Sequence, residues 1–180
     1  MTRHLLALLA ASLAVGTAGA ALKPGDKAPD FTTQASLGGK VFTFSLGEAL
    51  KKGPVVLYFY PEAFTSGCTI EAHEFAAAAG KYTAAGATII GLSHDGIEKL
   101  KKFSVSECRN KFAVGADEDQ KIMKAYDAVL KEDPTYADRT SYVIAPNGEI
   151  LDAYTNMDHP REHVTRTLAA VQRWAAAHPR

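Results

Sequence analysis

Three short apolar runs dominate the pattern of hydrophobic and polar positions along the chain. They are residues 53–61 (GPVVLYFYP), 87–95 (ATIIGLSHD) and 112–117 (FAVGAD). Continuous runs rich in β-branched and aromatic residues are typical of strands that are buried on both faces of a sheet. The pattern therefore predicts a sheet whose central strands lie between layers of helix.

Helical spacing prevails between and after these runs. Four segments are predicted to be helical: 66–85, 96–111, 118–128 and 159–178. The first is rich in alanine and precedes Gly86, a residue type common just beyond a helix end. The second places Ile97, Leu100 and Phe103 on one face. The last carries Pro160, which suits a first helical turn.

Two turn signals complete the predicted fold. Gly38-Gly39 predicts a hairpin turn before a strand at 40–46, and the segment before that turn is interpreted as an extended lead-in. Residues 146–148 (PNG) predict a hairpin within 139–154. Strands that alternate with helices, followed by a hairpin and a last helix, predict an α/β fold with a central mixed β-sheet flanked by helices.

The first 20 residues have the features of an export signal. A short basic start precedes an apolar stretch at 5–15, and residues 18–20 (AGA) form a small-x-small cleavage pattern. We expect a secretory signal peptide at 1–20 and one domain at 21–180. A membrane anchor is the alternative, but the apolar stretch is shorter than a membrane span requires. We therefore expect export to the bacterial periplasm, with no stable membrane association after cleavage.

Composition and charge narrow the classes of partner. The 20 Lys and Arg balance the 20 Asp and Glu, and loss of residues 1–20 removes only Arg3 from this balance. A near-neutral chain without basic runs gives no reason to expect nucleic acid as a partner. The two cysteines, Cys68 and Cys108, could form a disulfide in an oxidising compartment, although their number alone does not establish one.

Cys68 lies where the first buried run meets the first predicted helix. Backbone N–H groups at a helix start lack helical partners, and the helix end carries partial positive charge. Both effects favour the thiolate, which is the nucleophilic form of cysteine. Glu71 lies near the same helix face, Thr65 can place a hydroxyl beside the sulfur, and Pro61 fixes the chain as it leaves the strand.

The spacing Pro61-x-x-x-Thr65-x-x-Cys68 resembles the active-site motif of the peroxiredoxins. The surrounding LYFYPEAFTSGCTIEAHEF is similar to the bacterioferritin-comigratory, or PrxQ-like, branch of the AhpC/TSA family. The segments LKPGDKAPDF, GLSHDGIEKLKKF and RTSYVIAPNGEI resemble other family segments in the same order. The resemblance implies a thioredoxin-like fold and thiol-dependent reduction of hydrogen peroxide and organic hydroperoxides. It implies no metal and no organic cofactor.

The resemblance also implies a role for each site residue. Cys68 would be the peroxidatic cysteine. Thr65 would hydrogen-bond the sulfur and the incoming peroxide, and Pro61 would shield the sulfenic acid. Arg139 would stabilise the thiolate and the charge that develops on the peroxide oxygens, and Glu71 would orient Arg139. The implied electron donor is an external thiol reductant, a thioredoxin-like protein, and we expect the enzyme to be a monomer.

The resolving cysteine is the point at which the chain departs from the family pattern. Many members of the branch have it five residues after the first cysteine, where this chain has His73. Five residues turn a helix by about 500°, so His73 points away from Cys68. Some members use a cysteine on the helix after the third strand; Ser104 matches that position, and Cys108 follows one turn later. The resemblance thus implies that Cys108 resolves. The alternative is a buried packing residue, with an external thiol completing the cycle.

Two other functional classes share the predicted fold. An envelope thiol–disulfide oxidoreductase normally carries C-x-x-C at the helix start, and Thr65 replaces the first of those cysteines. A non-catalytic redox sensor or holdase would not need the set formed by Pro61, Thr65 and Arg139.

Three further patterns are interpreted as structural. Residues 159–163 (HPREH) match a short zinc pattern, but no Asp or Glu follows Glu162 as a third ligand, so a helix start capped by Asp158 is preferred. His94 and Asp95 are interpreted as turn formers at a strand end. The lysines at 99, 101 and 102 are expected to form a solvated helix face.

Overall fold

The structure, a computed structural model, describes residues 22–179. The strands are β1 (Thr32–Leu37), β2 (Lys40–Ser45), β3 (Val55–Phe59), β4 (Thr88–Ser93), β5 (Ala113–Ala116), β6 (Thr140–Ile144) and β7 (Ile150–Thr155). The helices are α1 (Leu46–Leu50), α2 (Ser66–Ala84), α3 (Ile97–Ser106), α4 (Lys121–Ala125) and α5 (Pro160–Ala177).

These strands form one mixed sheet in the order β2-β1-β5-β4-β3-β6-β7. β3, β4 and β5 are parallel to one another, and the other neighbours pair antiparallel. Every residue of β3 is buried, as its continuous apolar sequence predicts. The predicted α/β fold with a central mixed sheet is confirmed. This topology places the start of α2 at the carboxyl end of a central strand.

Two apolar clusters lie on opposite faces of the sheet. Successive side chains of a strand point to opposite faces, so Val56 and Tyr58 join one cluster while Leu57 and Phe59 join the other. The first cluster also receives the buried side chains of α2 and α3, together with both cysteines. Cys68 and Cys108 therefore share one face of the sheet.

Two short elements were not predicted. β1 occupies the segment interpreted as a lead-in, and it pairs with both β2 and β5. α1 follows β2 directly: its Leu46, Ala49 and Leu50 are buried, and the Ser45 hydroxyl accepts a hydrogen bond from the Glu48 N–H at 3.4 Å. Both elements are five or six residues long and are formed by tertiary pairing and burial, which local sequence patterns do not report.

The helix predicted over 96–111 is shorter than expected, and the placement of Cys108 on it is wrong. α3 ends at Ser106, and the N–H groups of Glu107 and Cys108 both donate to the Phe103 carbonyl at 3.0 Å. The chain then turns away through Arg109 and Asn110, both with positive φ. Cys108 therefore lies in the turn after α3.

The predicted signal peptide, residues 1–20, lies outside the described residues, so the boundary before residue 21 stays a prediction. Within residues 22–179, every helix is too short or too polar to cross a membrane.

Candidate active site

Cys68 is the third residue of α2, whose N-cap is Thr65. The side chain is buried, with only 2% of its surface exposed. The polypeptide reaches it from the end of β3 through a loop at 60–65, which begins with a hydrogen bond from the Tyr60 N–H to the Leu92 carbonyl at 3.1 Å. The prediction that Cys68 lies at a helix start is confirmed: the residue belongs to the first turn of α2, where backbone N–H groups have no helical partner.

Arg139, immediately before β6, lies against this sulfur. Its Nη2 donates to the Cys68 Sγ at 3.6 Å, its Nη1 donates to the Glu71 carboxylate, and its Nε donates to the Met157 carbonyl at 3.1 Å. The guanidinium and the carboxylate are almost completely removed from solvent. The structure thus brings Cys68, Arg139 and Glu71 together.

Arg139 and Glu71 influence each other's pKa in this cluster. Burial alone would lower the pKa of Arg139, but the charges of Glu71 and Cys68 and hydrogen bonds to both outweigh it and raise the pKa. Burial raises the pKa of Glu71 above its ordinary value, while Arg139 acts in the opposite direction. A permanently charged donor at hydrogen-bond distance stabilises a thiolate more than a neutral thiol.

Gly67 permits this contact and was missed by the sequence reasoning. A Cβ atom at this position would lie 2.9 Å from Arg139 Nη2. Any larger residue would therefore push the guanidinium away from the neighbouring sulfur. The sequence shows a glycine here, but the partner that approaches it lies 72 residues further along the chain.

Thr65 and Pro61 lie on the loop between β3 and α2, but the expected hydrogen bond from Thr65 to the sulfur is absent among the described contacts. The Thr65 hydroxyl instead donates to the Glu62 carbonyl at 3.0 Å, and the side chain is exposed. The hydroxyl proton of Thr65 is therefore used in a hydrogen bond within the loop. The Thr65 hydroxyl oxygen can still accept a hydrogen bond. Pro61 is half-buried where the chain leaves β3.

The ring of His163 lies next to Glu71. The sequence analysis did not identify His163 as part of the site. The ring is fully buried, and its Nδ1 is 3.9 Å from Glu71 Oε1. Because a carbonyl only accepts, Nε2 donates to Asn156 O at 2.9 Å, and Nδ1 then accepts from the Ser141 hydroxyl at 2.7 Å. Burial lowers the pKa of His163 to about 4, which keeps the ring neutral at physiological pH.

These contacts explain the HPREH pattern without a metal. Both nitrogens of His163 already have protein partners, and Glu162 accepts a hydrogen bond from the Tyr154 hydroxyl at 2.6 Å. The predicted cap is wrong by one residue: His159 is the N-cap of α5, and the Asn156 amide oxygen accepts from the N–H groups of Asp158 and His159.

Cys108 is a free, fully buried thiol on the same face of the sheet as Cys68. Burial raises its pKa well above the ordinary value, and the charge of Glu107 adds to the effect. Both sulfurs lie close enough to Tyr60 for their charges to raise its pKa, in addition to the larger effect of burial. In the folded protein Cys108 is thus an unreactive thiol near the site.

His73 does not face the sulfur of Cys68. Its Nε2 contacts the Glu107 carboxylate at 2.7 Å, so it connects α2 to the turn that carries Cys108. The side chain is half-exposed. His73, which stands where the resemblance implies a resolving cysteine, therefore holds the segment that carries Cys108.

The amino-acid sequence matches a known protein family. Residues 24–153 match the model of the AhpC/TSA family. The chain is 34% identical over 148 residues to peroxiredoxin Q, chloroplastic, of Oryza sativa subsp. japonica; the match covers 82% of this chain and 66% of the rice protein, just under two thirds of its length. It is 33% identical over 155 residues to a Helicobacter pylori protein assigned to the bcp peroxiredoxins, covering 83% of this chain and 98% of that protein.

The fold comparison agrees with the sequence comparison. The crystal structure of peroxidoxin BcpB from Mycobacterium tuberculosis superimposes with a TM-score of 0.76 at 28% identity, over 84% of this chain and 97% of that one. The Mycobacterium tuberculosis AhpC structure has a TM-score of 0.77 at 19% identity, which shows a shared fold.

The buried His163 makes stability depend on pH. Its pKa is 6.5 in a solvated chain and about 4 in the folded protein. Below pH 6.5 the unfolded chain binds a proton that the folded protein does not, so stability is lost as the pH falls towards 4. Between these limits the loss is on the order of 3 kcal/mol. The His163→Gln variant should lose less stability than the wild type between pH 6.5 and about 4. The difference in the free energy of unfolding, measured with urea, should be about 3 kcal/mol.

The exposed His178, at the end of the same helix, provides the matched control. His178→Gln should keep the acid dependence of the wild type. Equal acid dependence in wild type and His163→Gln would contradict the buried, neutral state of His163.

Proposed function

This chain belongs to the AhpC/TSA family, and on that premise we propose that it is a thiol-dependent peroxidase of the bacterioferritin-comigratory, PrxQ-like branch. Its substrates are hydrogen peroxide and organic hydroperoxides, and Cys68 is the peroxidatic residue. One observation carries the proposal: the Cys68 sulfur, at a helix start, is 3.6 Å from the buried guanidinium nitrogen of Arg139. A non-catalytic module with this fold has no need for a buried cation held against a thiol.

The reaction follows from the charges at the site. The Cys68 thiolate attacks one peroxide oxygen in line with the O–O bond, the S–O bond forms, and hydroxide or alkoxide leaves with the electron pair and takes up a proton. The sulfur is oxidised by two electrons to a sulfenic acid. Negative charge moves from the sulfur to the leaving oxygen, where Arg139 and backbone N–H groups at the start of α2 are already oriented to stabilise it.

Cys108 then resolves the sulfenic acid. Its thiol condenses with the Cys68 sulfenic acid, so that an S–S bond forms and water leaves. A disulfide requires Cα atoms within about 7 Å and an accessible thiolate. Cys108 is fully buried, and burial raises its pKa. The turn after α3 must therefore open locally before the second step, as low-stability segments near active sites do.

An external dithiol of the thioredoxin-like class reduces the disulfide by thiol–disulfide exchange and restores both thiols. The alternative of a thiol–disulfide oxidoreductase is not favoured, because Thr65 stands where that class has its first cysteine.

We further propose that the protein is a monomer and that it is exported to the periplasm after removal of residues 1–20.

The first test follows the fate of both sulfurs by mass spectrometry. With one equivalent of hydrogen peroxide, the wild type should lose two hydrogens and give a Cys68–Cys108 cross-linked peptide, because the sulfenic acid condenses with the second thiol. Cys108→Ser should instead gain one or more oxygens, and Cys68→Ser should react no faster than free cysteine.

Two results would contradict parts of this cycle. A wild type that only gains oxygen would mean that an external thiol resolves the sulfenic acid. Equal loss of the fast peroxide reaction in Cys68→Ser and Cys108→Ser would remove the assignment of Cys68 as the peroxidatic residue.

The second test addresses export. The apolar stretch and AGA cleavage pattern predict a mature chain that begins near Ala21 and is found outside the cytoplasm. N-terminal sequencing of the protein from fractionated native cells measures both. A soluble cytoplasmic protein that retains Met1 would refute the proposed location.

A further inference from the structure

The described residues enclose a cavity of about 490 Å³ at the end of the sheet that lies opposite the active site. Its wall includes the first residues of β4 and β5 and the last turns of α2, with Ala79 and Tyr82. β3, β4 and β5 run parallel, and Cys68 follows the carboxyl end of β3, so the cavity lies at the amino ends of these strands. Ala79 is eleven residues beyond Cys68 on α2, about 16 Å along the helix axis. The cavity is therefore separate from the site of the proposed peroxidase reaction.

The cavity exists because the pairing between β1 and β5 is short. The two strands share only two residue pairs, of which Ser36–Val114 is the last. Leu37 and Ala113, the next residues in this register, lie beyond the ladder, and both line the cavity. The β1–β2 hairpin therefore leaves an opening beside the start of β5.

Apolar side chains form most of the cavity wall. Both core clusters contribute buried residues to it, among them Phe44, Ala49, Ala79, Tyr82, Ile89 and Phe112. Leu37 and Phe42 form the outer edge, and they are 42% and 40% exposed. Large apolar side chains that stay exposed beside an apolar cavity are typical of a ligand site. The volume also falls within the range of about 300–1,000 Å³ that is usual for small-molecule sites.

The charged residues that line the cavity favour an anion. They are Glu48, Lys52 and Lys111, and all three are exposed. The Glu48 carboxylate lies 2.5 Å from the Nζ of Lys51, which is outside the cavity wall, so the charge of Glu48 is already compensated. The two lysines of the wall therefore leave an excess of positive charge at the mouth of an apolar cavity.

Lys111 is available to bind a ligand. Within residues 22–179 no ion pair of this side chain is found. Lys99 provides the contrast, because its Nζ lies 2.7 Å from the Asp95 carboxylate and 2.7 Å from the Glu62 carboxylate. The expectation that Lys99 belongs to a solvated helix face is therefore wrong. The exposed cation that lies next in sequence to the buried Phe112 of the cavity wall is Lys111.

We propose that this cavity binds a single-chain fatty carboxylate. The alkyl chain lies against the apolar wall, and the carboxylate head group lies at the mouth with Lys52 and Lys111. Burial of the chain supplies the affinity, and the two lysines select an anionic head group over a cationic one. The site takes no part in the chemistry of Cys68, so the inference does not depend on the proposed peroxidase function.

Equilibrium dialysis of the purified protein measures this binding directly. The first probe is radiolabelled dodecanoate below its critical micelle concentration, and the second is dodecyltrimethylammonium, which has the same chain length and the opposite charge. We expect saturable binding of one dodecanoate per chain. The cation should bind about tenfold more weakly, because it loses the attraction of two exposed lysines.

Two variants test the wall and the mouth of the cavity, each with a matched control. Ala79→Leu places a larger side chain inside the cavity and should weaken dodecanoate binding more than tenfold, whereas Ala77→Leu changes an exposed alanine of the same helix and should have no effect. Lys111→Gln should weaken binding roughly threefold to fivefold, the scale of one exposed charge pair. Lys102→Gln removes an exposed lysine of α3 that does not line the cavity, and it should bind as the wild type does.

Urea unfolding verifies that Ala79→Leu is folded, and the exposed Lys111→Gln tests the site independently of the core. The proposal is overturned if dodecanoate shows no saturable binding below its critical micelle concentration, or if the cation binds equally well. It is also overturned if either control weakens binding as much as its matched variant. A dimer that dissociates in Phe42→Ser would likewise overturn it, because a second copy of the chain would then cover the cavity.

Discussion

The buried guanidinium of Arg139 is the constraint around which the site is built. A cation removed from water is tolerated only when each of its donors finds a partner, because an unpaired buried charge costs several kcal/mol. Each of the three guanidinium nitrogens of Arg139 donates one hydrogen bond, to the Glu71 carboxylate, the Met157 carbonyl or the Cys68 sulfur. These partners come from α2 and from the segment before α5, so satisfying one charge fixes how α2, β6 and α5 pack. A guanidinium also stabilises a thiolate more than a neutral thiol. The contact between Arg139 and Cys68 therefore contributes both to packing and to the reactivity of the sulfur.

The second cysteine is subject to the opposite requirement. Packing on the apolar face of the sheet protects Cys108 in the reduced protein, and the same burial makes its thiol unreactive. A cycle that uses it needs a folded state for the first step and a locally open state for the second. The contacts that hold α3 and the turn beyond it, at Lys99 and at His73, are polar and partly exposed. Such contacts are weak enough to open without loss of the core.

The sequence predicted the parts of the fold that local patterns encode. The central strands, α2 and the 146–148 hairpin follow from apolar runs and turn residues, and the Pro61, Thr65 and Cys68 spacing pointed to the loop that the structure places between β3 and α2. The remaining features depend on residues that are distant in sequence. From the sequence, Asp95 was interpreted as a turn former, and His163 as part of a helix start that matches a zinc pattern by chance. The residues that each of them contacts could not be identified from the sequence. The end of α3 at Ser106 likewise depends on capping by the turn that buries Cys108.

The most direct test of the central claim is the rate of Cys68 oxidation by hydrogen peroxide when Arg139 is removed. Stopped-flow rates should fall by roughly two to three orders of magnitude in Arg139→Ala, the scale of one lost charge-stabilising donor. The measurement should be repeated in a Glu71→Gln background, which avoids a buried unpaired carboxylate, with Arg161→Ala as the exposed control. An unchanged rate in folded Arg139→Ala protein would contradict the account, because the charge that the fold is built to hold would then have no part in the chemistry.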